Sequence, residues 1–285
     1  MAAVRAGMLH VVATPIGNLG DLSARAREVL ASVAAICAED TRHTRQMLNA
    51  YGIEKPLLAV HEHNEAEIAW QLVERLRGGE SLALVSDAGT PLVSDPGYRL
   101  VRAVRAAGFV VSPVPGPCAA IAALSVAGIP SDRFCFEGFL PAKSAARRER
   151  LAALGRESRT LVFYESSHRI EESLTDLAEV FGPEREAVLA RELTKLFETV
   201  FGDTLGGILE RVKADADQRR GEFVLVVRGA TDDGTAALLE GQRLYAKLKG
   251  MLSPSQAAKL AAELSGAPRK ALYGGTPDEA VVADP

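Results

Sequence analysis

The chain has 285 residues, 47% of them apolar and 25% charged, with a formal net charge of -4. That balance is typical of a soluble globular protein with one large domain or two of ordinary size. No run of about 18 apolar residues suits a membrane span, Met1–Gly7 lacks the apolar core of a secretory signal, and Cys37, Cys118 and Cys135 form neither an even set nor a metal-ligand spacing. A cytoplasmic protein without a structural metal is expected.

Leu9–Ala13 reads as a strand and opens onto Thr14-Pro15-Ile16-Gly17-Asn18-Leu19-Gly20-Asp21. A helix near 22–31 follows from the spacing of Leu22, Ala26, Val29 and Leu30, with Asp21 or Ser23 as its N-cap. Neither G-x-G-x-x-G nor a Walker A pattern is present, so the expected ligand is not held by phosphates. A strand at 34–39 carries Cys37 as a packing residue and ends at Glu39-Asp40; helix 41–50 comes next. After strand 57–60, His61 and His63 flank Glu62 at the spacing of a metal pair, without a third ligand, and helix 64–77 follows.

Strand 82–86 then runs into Ser86-Asp87-Ala88-Gly89-Thr90-Pro91-Leu92-Val93-Ser94-Asp95-Pro96-Gly97. Glycine there permits close backbone approach to a ligand and proline pins the loop. In open α/β sheets the crevice beyond the strands' carboxyl ends binds ligands, although an ordinary strand-to-helix connection has the same composition. Helix 95–107, strand 109–112, the loop Val114-Pro115-Gly116-Pro117-Cys118 and helix 116–127 complete an alternation that implies a parallel sheet covered on both faces. Gly128-Ile129-Pro130-Ser131 reads as a joint. Beyond it lie strands 134–138, 160–164, 187–191, 196–201 and 222–227 and helices near 144–153, 168–180 and 203–215, closer together and suited to a mixed sheet. Thr231–Gly234 is a linker; helices at 237–248 and 252–264 and a turn into 269–273 make a helix-turn-helix-like extension with an acidic end at 276–285. The expected class is therefore α/β, with domains at 8–127 and 128–230, a ligand cleft between them, and a helical unit at 236–275.

Thr14–Leu19, Glu39-Asp40-Thr41-Arg42, Ser86–Gly97, Val114–Pro117 and Phe163-Tyr164-Glu165-Ser166-Ser167-His168-Arg169 together resemble the tetrapyrrole-methylase-like (class III) S-adenosylmethionine methyltransferases, in order, from about Leu9 to about Arg228. The likeness is greatest to the branch that acts on ribosomal RNA. It implies S-adenosylmethionine as cofactor, 2'-O-methylation of a cytidine ribose in 16S rRNA, the 16S rRNA or 30S subunit as partner, and a homodimer. It also implies a cofactor pocket lined by Pro15, Asp87, Ala88, Gly89, Thr90, Pro91, Cys118, Ala119, Tyr164 and Leu193, with backbone around Glu222-Phe223. Tetrapyrrole-modifying members carry a Gly-rich first loop where this chain has Pro15-Ile16-Gly17-Asn18, which points away from a corrin-like acceptor. A small-molecule or tetrapyrrole methyltransferase, or a non-catalytic RNA-binding protein, are the alternatives.

For the acceptor side the candidates are Glu39, Asp40, Arg42, His43, Glu165, His168, Arg191, Glu192 and Lys195, with Asp40, His43, Glu192 and Lys195 as catalytic candidates and no general base singled out. Each has a plainer reading: Asp40 as a helix cap, His43 as a surface histidine, and Arg191 to Lys195 as a structural ion-pair cluster. RNA contacts are expected from Arg42, Lys143, Arg147, Arg148, His168 and Arg169, because phosphate recognition needs local rather than net positive charge. Lys247, Lys249, Lys259, Arg269 and Lys270 mark the C-terminal unit as a further basic surface, although its Ala-rich face also suits simple packing.

Overall fold

A computed structural model describes residues 7–61, 64–231 and 235–272. Glu62, His63, Asp232–Gly234 and the end from Tyr273 lie outside the described residues, and with them most of the proposed linker, the second histidine of the metal-like pair and the acidic end. Among the described residues, no helix is long and apolar enough to cross a membrane.

The first half builds a five-stranded sheet from β1 (Met8–Val12), β2 (Ala35–Ala38), β3 (Leu57–Ala59), β4 (Leu82–Leu84) and β5 (Val110–Val114). All pairings are parallel and the order is β3-β2-β4-β1-β5, which puts β4 at the centre. Side-chain alternation along these strands feeds two cores. Ile36, Ala38, Ala83 and Val85 meet Ala26 and Leu30 of α1 (Ala24–Ser32) and Leu48 of α2 (Thr41–Ala50) on one face. Leu9, Cys37, Leu82 and Leu84 meet Leu72 and Leu76 of α3 (Glu65–Arg77) and Leu100 and Val104 of α4 (Tyr98–Ala106) on the other. Such double coverage is why the strands read as nearly continuous apolar runs. Ser23, not Asp21, caps α1, accepting a hydrogen bond from the Ala26 amide. The helix expected from 95 begins at Tyr98, because Pro96 precedes Gly97, whose φ of 125° stops helical winding.

The second sheet joins β6 (Phe134–Phe139), β7 (Thr160–Ser166), β10 (Glu222–Val227), β8 (Glu186–Arg191) and β9 (Thr199–Thr204) in the order β6-β7-β10-β8-β9. Only the β6–β7 pair is parallel, so this sheet is mixed as expected. One face is covered by α6 (Ser144–Leu154), α7 (Ile170–Phe181) and α8 (Leu205–Ala214) through Leu151, Leu174, Leu177, Ile208 and Val212. The other receives Ala120, Ala123 and Leu124 of α5 (Ala119–Val126) against Val162, Val188, Val224 and Val226. The two sheets, expected as separate domains, lie in one compact unit that runs through Gly229. The strand expected at 196–201 starts three residues later, because Glu192 and Thr194 adopt φ of 52° and 67° and curl the chain into a turn.

Arg147 corrects an expectation. At helical spacing from Leu151 it points inward, is 1% exposed, and donates from Nε to Asp176 Oδ2 at 2.6 Å and from Nη1 to the Ala142 carbonyl. Ser144 donates its hydroxyl to the same carboxylate, 3.0 Å from Oδ2. Arg147 therefore clamps α6 to α7 and has no fork left for a phosphate.

The second compact unit starts at Ala230 and contains α9 (Thr235–Leu248), α10 (Pro254–Ser265) and α11 (Arg269–Leu272). Ser253 and Gln256 form a reciprocal capping box, Pro254 opens α10, and Gly266 closes it in the left-handed conformation with φ 76°. A Cβ on Gly241 would lie 2.8 Å from Ala267 Cβ and Leu272 Cδ2, so glycine lets α9 meet the turn before α11.

Removing one member of a buried ion pair strands the other. Arg147→Met is expected to lower unfolding stability by about 3–5 kcal/mol, and Arg147→Met combined with Asp176→Leu to recover most of it, in urea titrations. Equal stability of wild type and the single variant contradicts the clamp.

Candidate functional site

The loop after the central strand β4 is tied to three neighbours. Asp87 Oδ1 accepts the Asp40 amide at 2.9 Å, joining it to the end of β2. Thr14 and Gly89 exchange both backbone hydrogen bonds, at 2.9 and 3.1 Å, joining it to the end of β1. The Thr90 hydroxyl donates to the Pro117 carbonyl at 2.9 Å, joining it to the loop after β5. Gly89 has φ 83°, and a Cβ there would stand 3.3 Å from Ile16 Cγ2, so this position combines a left-handed turn with close approach.

Against this tied rim the second sheet encloses a cavity of about 370 Å³, within the range of about 300–1,000 Å³ usual for small-molecule sites. Cys118, Ala119, Ala190, Leu193 and Val224 supply apolar wall, and Glu39, Asp87, Asp95, Glu165 and Glu222 bring carboxylates. Tyr164 spans the two halves: its hydroxyl accepts the Ala120 amide at 3.1 Å, fixing the first turn of α5. Burial pushes its phenol well above the ordinary range, so it stays protonated at neutral pH. Leu92, Ser94, Glu192 and Thr194 are the non-glycine residues with left-handed φ among the described residues, and all lie in two loops that border this cavity. Backbone strain of about 1–3 kcal/mol per such residue is characteristic of functional sites.

Among the described residues, Lys195 is the cation that lines the cavity. Its Nζ donates to Glu192 Oε1 at 2.8 Å and to Glu222 Oε2 at 2.7 Å. Burial alone depresses its ammonium pKa, but the two carboxylate hydrogen bonds outweigh that and raise it, so Lys195 is a fixed positive charge rather than a base. Burial likewise opposes ionisation of Glu192, yet the Lys195 hydrogen bond and the Glu222 amide hold its carboxyl below the usual range. The Lys195 stem crosses Gly17: a Cβ there would sit 2.4 Å from Lys195 Cγ. Glycine in the first loop is thus required by the side chain that lies over it.

Of the cofactor residues expected from sequence, Asp87, Ala88, Gly89, Thr90, Cys118, Ala119, Tyr164 and Leu193 line the cavity, together with Glu222 and Phe223. Pro15 and Pro91 do not; Ile16 faces it in place of Pro15. Among the acceptor-side candidates Glu39, Glu165 and Lys195 line it, whereas Asp40 takes its plainer role, capping α2 through the Arg42 and His43 amides and pairing with Arg42. His43 is exposed on α2, and Arg191 spends its guanidinium on the Arg220 and Phe197 carbonyls. Arg169 bonds to the Leu140 carbonyl and pairs with Glu165, and Arg148 pairs with Glu179. Lys143 and His168 are exposed, the latter beside a polar cleft that Arg219 and Glu171 also line. Asp95, Ser94, Phe139 and Ser166 also line the cavity, although none is among the candidates that the sequence nominates. The Ser94-Asp95-Pro96-Gly97 turn was the available signal for the first two.

A family model for tetrapyrrole (corrin/porphyrin) methylases matches residues 8–209, and one described as the RsmI C-terminal HTH domain matches residues 235–274. A ribosomal RNA small subunit methyltransferase I from Xylella fastidiosa is 66% identical over 269 residues, covering 94% of this chain and 98% of that protein. Its namesake from Pseudomonas aeruginosa is 54% identical over 270 residues, covering 94% and 96%. The solved structure of a cobalamin biosynthetic enzyme, cobalt precorrin-4 methyltransferase, superposes with a TM-score of 0.59 at 14% identity, covering 80% of this chain and 98% of that one, a likeness of fold.

Asp95 gives a test that needs no ligand. Burial raises its carboxyl pKa, with the Ser86 hydrogen bond opposing and the Asp87 charge adding to the rise. The folded state then holds the proton more tightly than the unfolded chain, whose value is about 3.9, so the stability that this one group contributes is fully present below that pH and is lost as pH rises through the folded value. Asp95→Asn is therefore expected to be more stable than wild type at pH 7.5, with the difference closing below about pH 3.9, in urea titrations across pH. Equal stability at pH 7.5 contradicts a desolvated carboxylate.

Proposed function

The chain belongs to the tetrapyrrole methylase family and, within it, to the ribosomal RNA small subunit methyltransferase I group, and from that premise we propose that it transfers a methyl group from S-adenosylmethionine to the 2'-hydroxyl of a cytidine in 16S rRNA. The observation that carries this reading is the cavity at the tied strand ends, with an apolar wall, several carboxylates and one fixed cation. It suits the cofactor: the apolar wall and loop backbone match an adenosyl group, and carboxylates match a sulfonium. A cytoplasmic location and a homodimer belong to the same proposal, the latter testable by sedimentation velocity.

The sulfonium, when bound, supplies both the electrophilic methyl group and the leaving group, which leaves the protein with positioning, charge and a proton to manage. Asp87, Gly89, Thr90, Cys118, Ala119 and Leu193 form the binding wall in this reading. Among the lining carboxylates, Asp87 accepts the Asp40 amide, Glu165 accepts from Ser166 and Ser173, and Glu222 accepts from Lys195. Asp95, half-buried and lining the cavity, is our candidate to take the hydroxyl proton. Lys195 then offers positive charge to the oxygen as its proton leaves. Exposed Lys143 and, in the C-terminal unit, Lys247, Lys249, Lys259, Arg269 and Lys270 support contact with phosphates.

The reading is tested by methyl transfer from labelled S-adenosylmethionine to 30S subunits and protein-free 16S rRNA from a strain lacking the gene, followed by nucleoside analysis. 2'-O-methylcytidine is the expected product. Labelling of a tetrapyrrole but not of RNA overturns the assignment. Asp95→Asn is expected to lower kcat by about 10²–10⁴-fold while calorimetry still shows cofactor binding; wild-type kcat excludes Asp95 as the base.

A further inference from the structure

We propose that the ring of Phe139 is the platform on which the nucleobase of the acceptor nucleotide stacks, an inference that rests on the RNA methylation reading above. Phe139 lines the cavity yet is 54% exposed. A single exposed aromatic is ordinary; its placement here is not. Along β6 the register with β7 is regular from Phe134↔Thr160 to Phe136↔Val162, then shifts, so that Gly138 faces Phe163 and Phe139 faces Tyr164. Without that extra residue, Phe139 would share a face with Cys135, which packs into the core beneath α6 and α7. The bulge at Glu137 reverses the alternation and turns Phe139 onto the face of Phe136 and Tyr164.

The ring is also held. Phe136 and Phe139 both stand edge-to-face against Tyr164, with centroids 4.9 and 5.7 Å from it at 72° and 65°. Tyr164 itself is pinned by the Ala120 amide. Gly138, at φ 63°, lets β6 approach the loop after β4 so closely that a Cβ would lie 3.0 Å from Ser94 Oγ. A bulge, a left-handed glycine and an aromatic scaffold thus present one apolar ring at the edge of the cavity that holds Asp95 and Lys195.

The reaction states what that ring meets. A ribose 2'-hydroxyl can be brought into an enclosed cavity only if its nucleotide is unstacked from the RNA, which exposes both faces of the base to water. Proteins that read such nucleotides stack them on aromatic side chains. Phe139 offers that surface without a hydrogen-bonding group, so it steadies the base and leaves discrimination to other contacts.

Phe139→Ala, Phe139→Leu and Phe139→Trp are compared in 30S methylation kinetics, in filter binding to 30S subunits without cofactor, and in calorimetry with S-adenosylmethionine. Loss of one base-aromatic stack is worth about tenfold to a hundredfold in affinity. The alanine and leucine variants are therefore expected to raise KM and the 30S Kd by that factor, with tryptophan restoring both and cofactor affinity unchanged throughout; unchanged cofactor binding also shows the variants are folded. An unaltered KM overturns the proposal. So does cofactor affinity falling in step with KM, which assigns the ring to the cofactor's adenine, or leucine restoring as well as tryptophan, which assigns it to apolar filling. Failure of the wild type itself to label RNA overturns instead the reading on which the proposal rests.

Discussion

The paired hydrogen bonds between Thr14 and Gly89 are the constraint on which the site depends. A parallel sheet sends every loop at one end in the same direction, but nothing in strand pairing alone makes those loops cohere. Here the central strand supplies the loop that binds them, through Asp40 on one side, Thr14 on the other, and Pro117 one strand further out. Because β4 lies between β2 and β1, its loop reaches both without long excursions. The second sheet needs only to place Tyr164, Leu193 and Lys195 against that rim to close a cavity, and α5, which packs on the second sheet, brings Cys118 and Ala119 to the same rim.

Much of the site departs from lowest local energy. Left-handed Leu92, Ser94, Glu192 and Thr194, a desolvated Asp95 and a half-exposed Phe139 each cost stability where they stand. The apolar cores packed on both faces of the two sheets offset this from outside the cavity. Lys195 illustrates the coupling: its position depends on a glycine in the first loop, a turn with two left-handed residues, and a carboxylate from β10. Local strain, electrostatics and packing converge on one ammonium group.

The architecture was legible because its signals are local. Apolar runs ending in Gly/Pro turns marked the strands and the loops beyond them, and Asp87 to Thr90, Cys118, Ala119 and Tyr164 were found that way or through the family resemblance. What sequence hid was orientation. Arg147, Arg148 and Arg150 form one basic run, yet helical phase buries the first and exposes the others. A β-bulge reverses the facing of Phe139, and Gly138 within the strand is its one local signal, which gives neither the register shift nor the face on which Phe139 then lies. The start of β9 is hidden for a similar reason: Glu192 and Thr194 are left-handed without being glycine, so composition gives no warning of the turn. Asp40 suits a cap or a site acid by residue type alone; in the structure its carboxylate accepts the Arg42 and His43 amides of α2.

If loops from both sheets form one cofactor site, as proposed, hydrogen-deuterium exchange with and without S-adenosylmethionine will report on them as a set. The cofactor is expected to slow exchange together in segments 14–17, 87–95, 118–121, 190–195 and 222–224, leaving the amides of α6 and α7 unchanged. Protection confined to one sheet, or centred on the cleft beside His168 and Arg219, would contradict it.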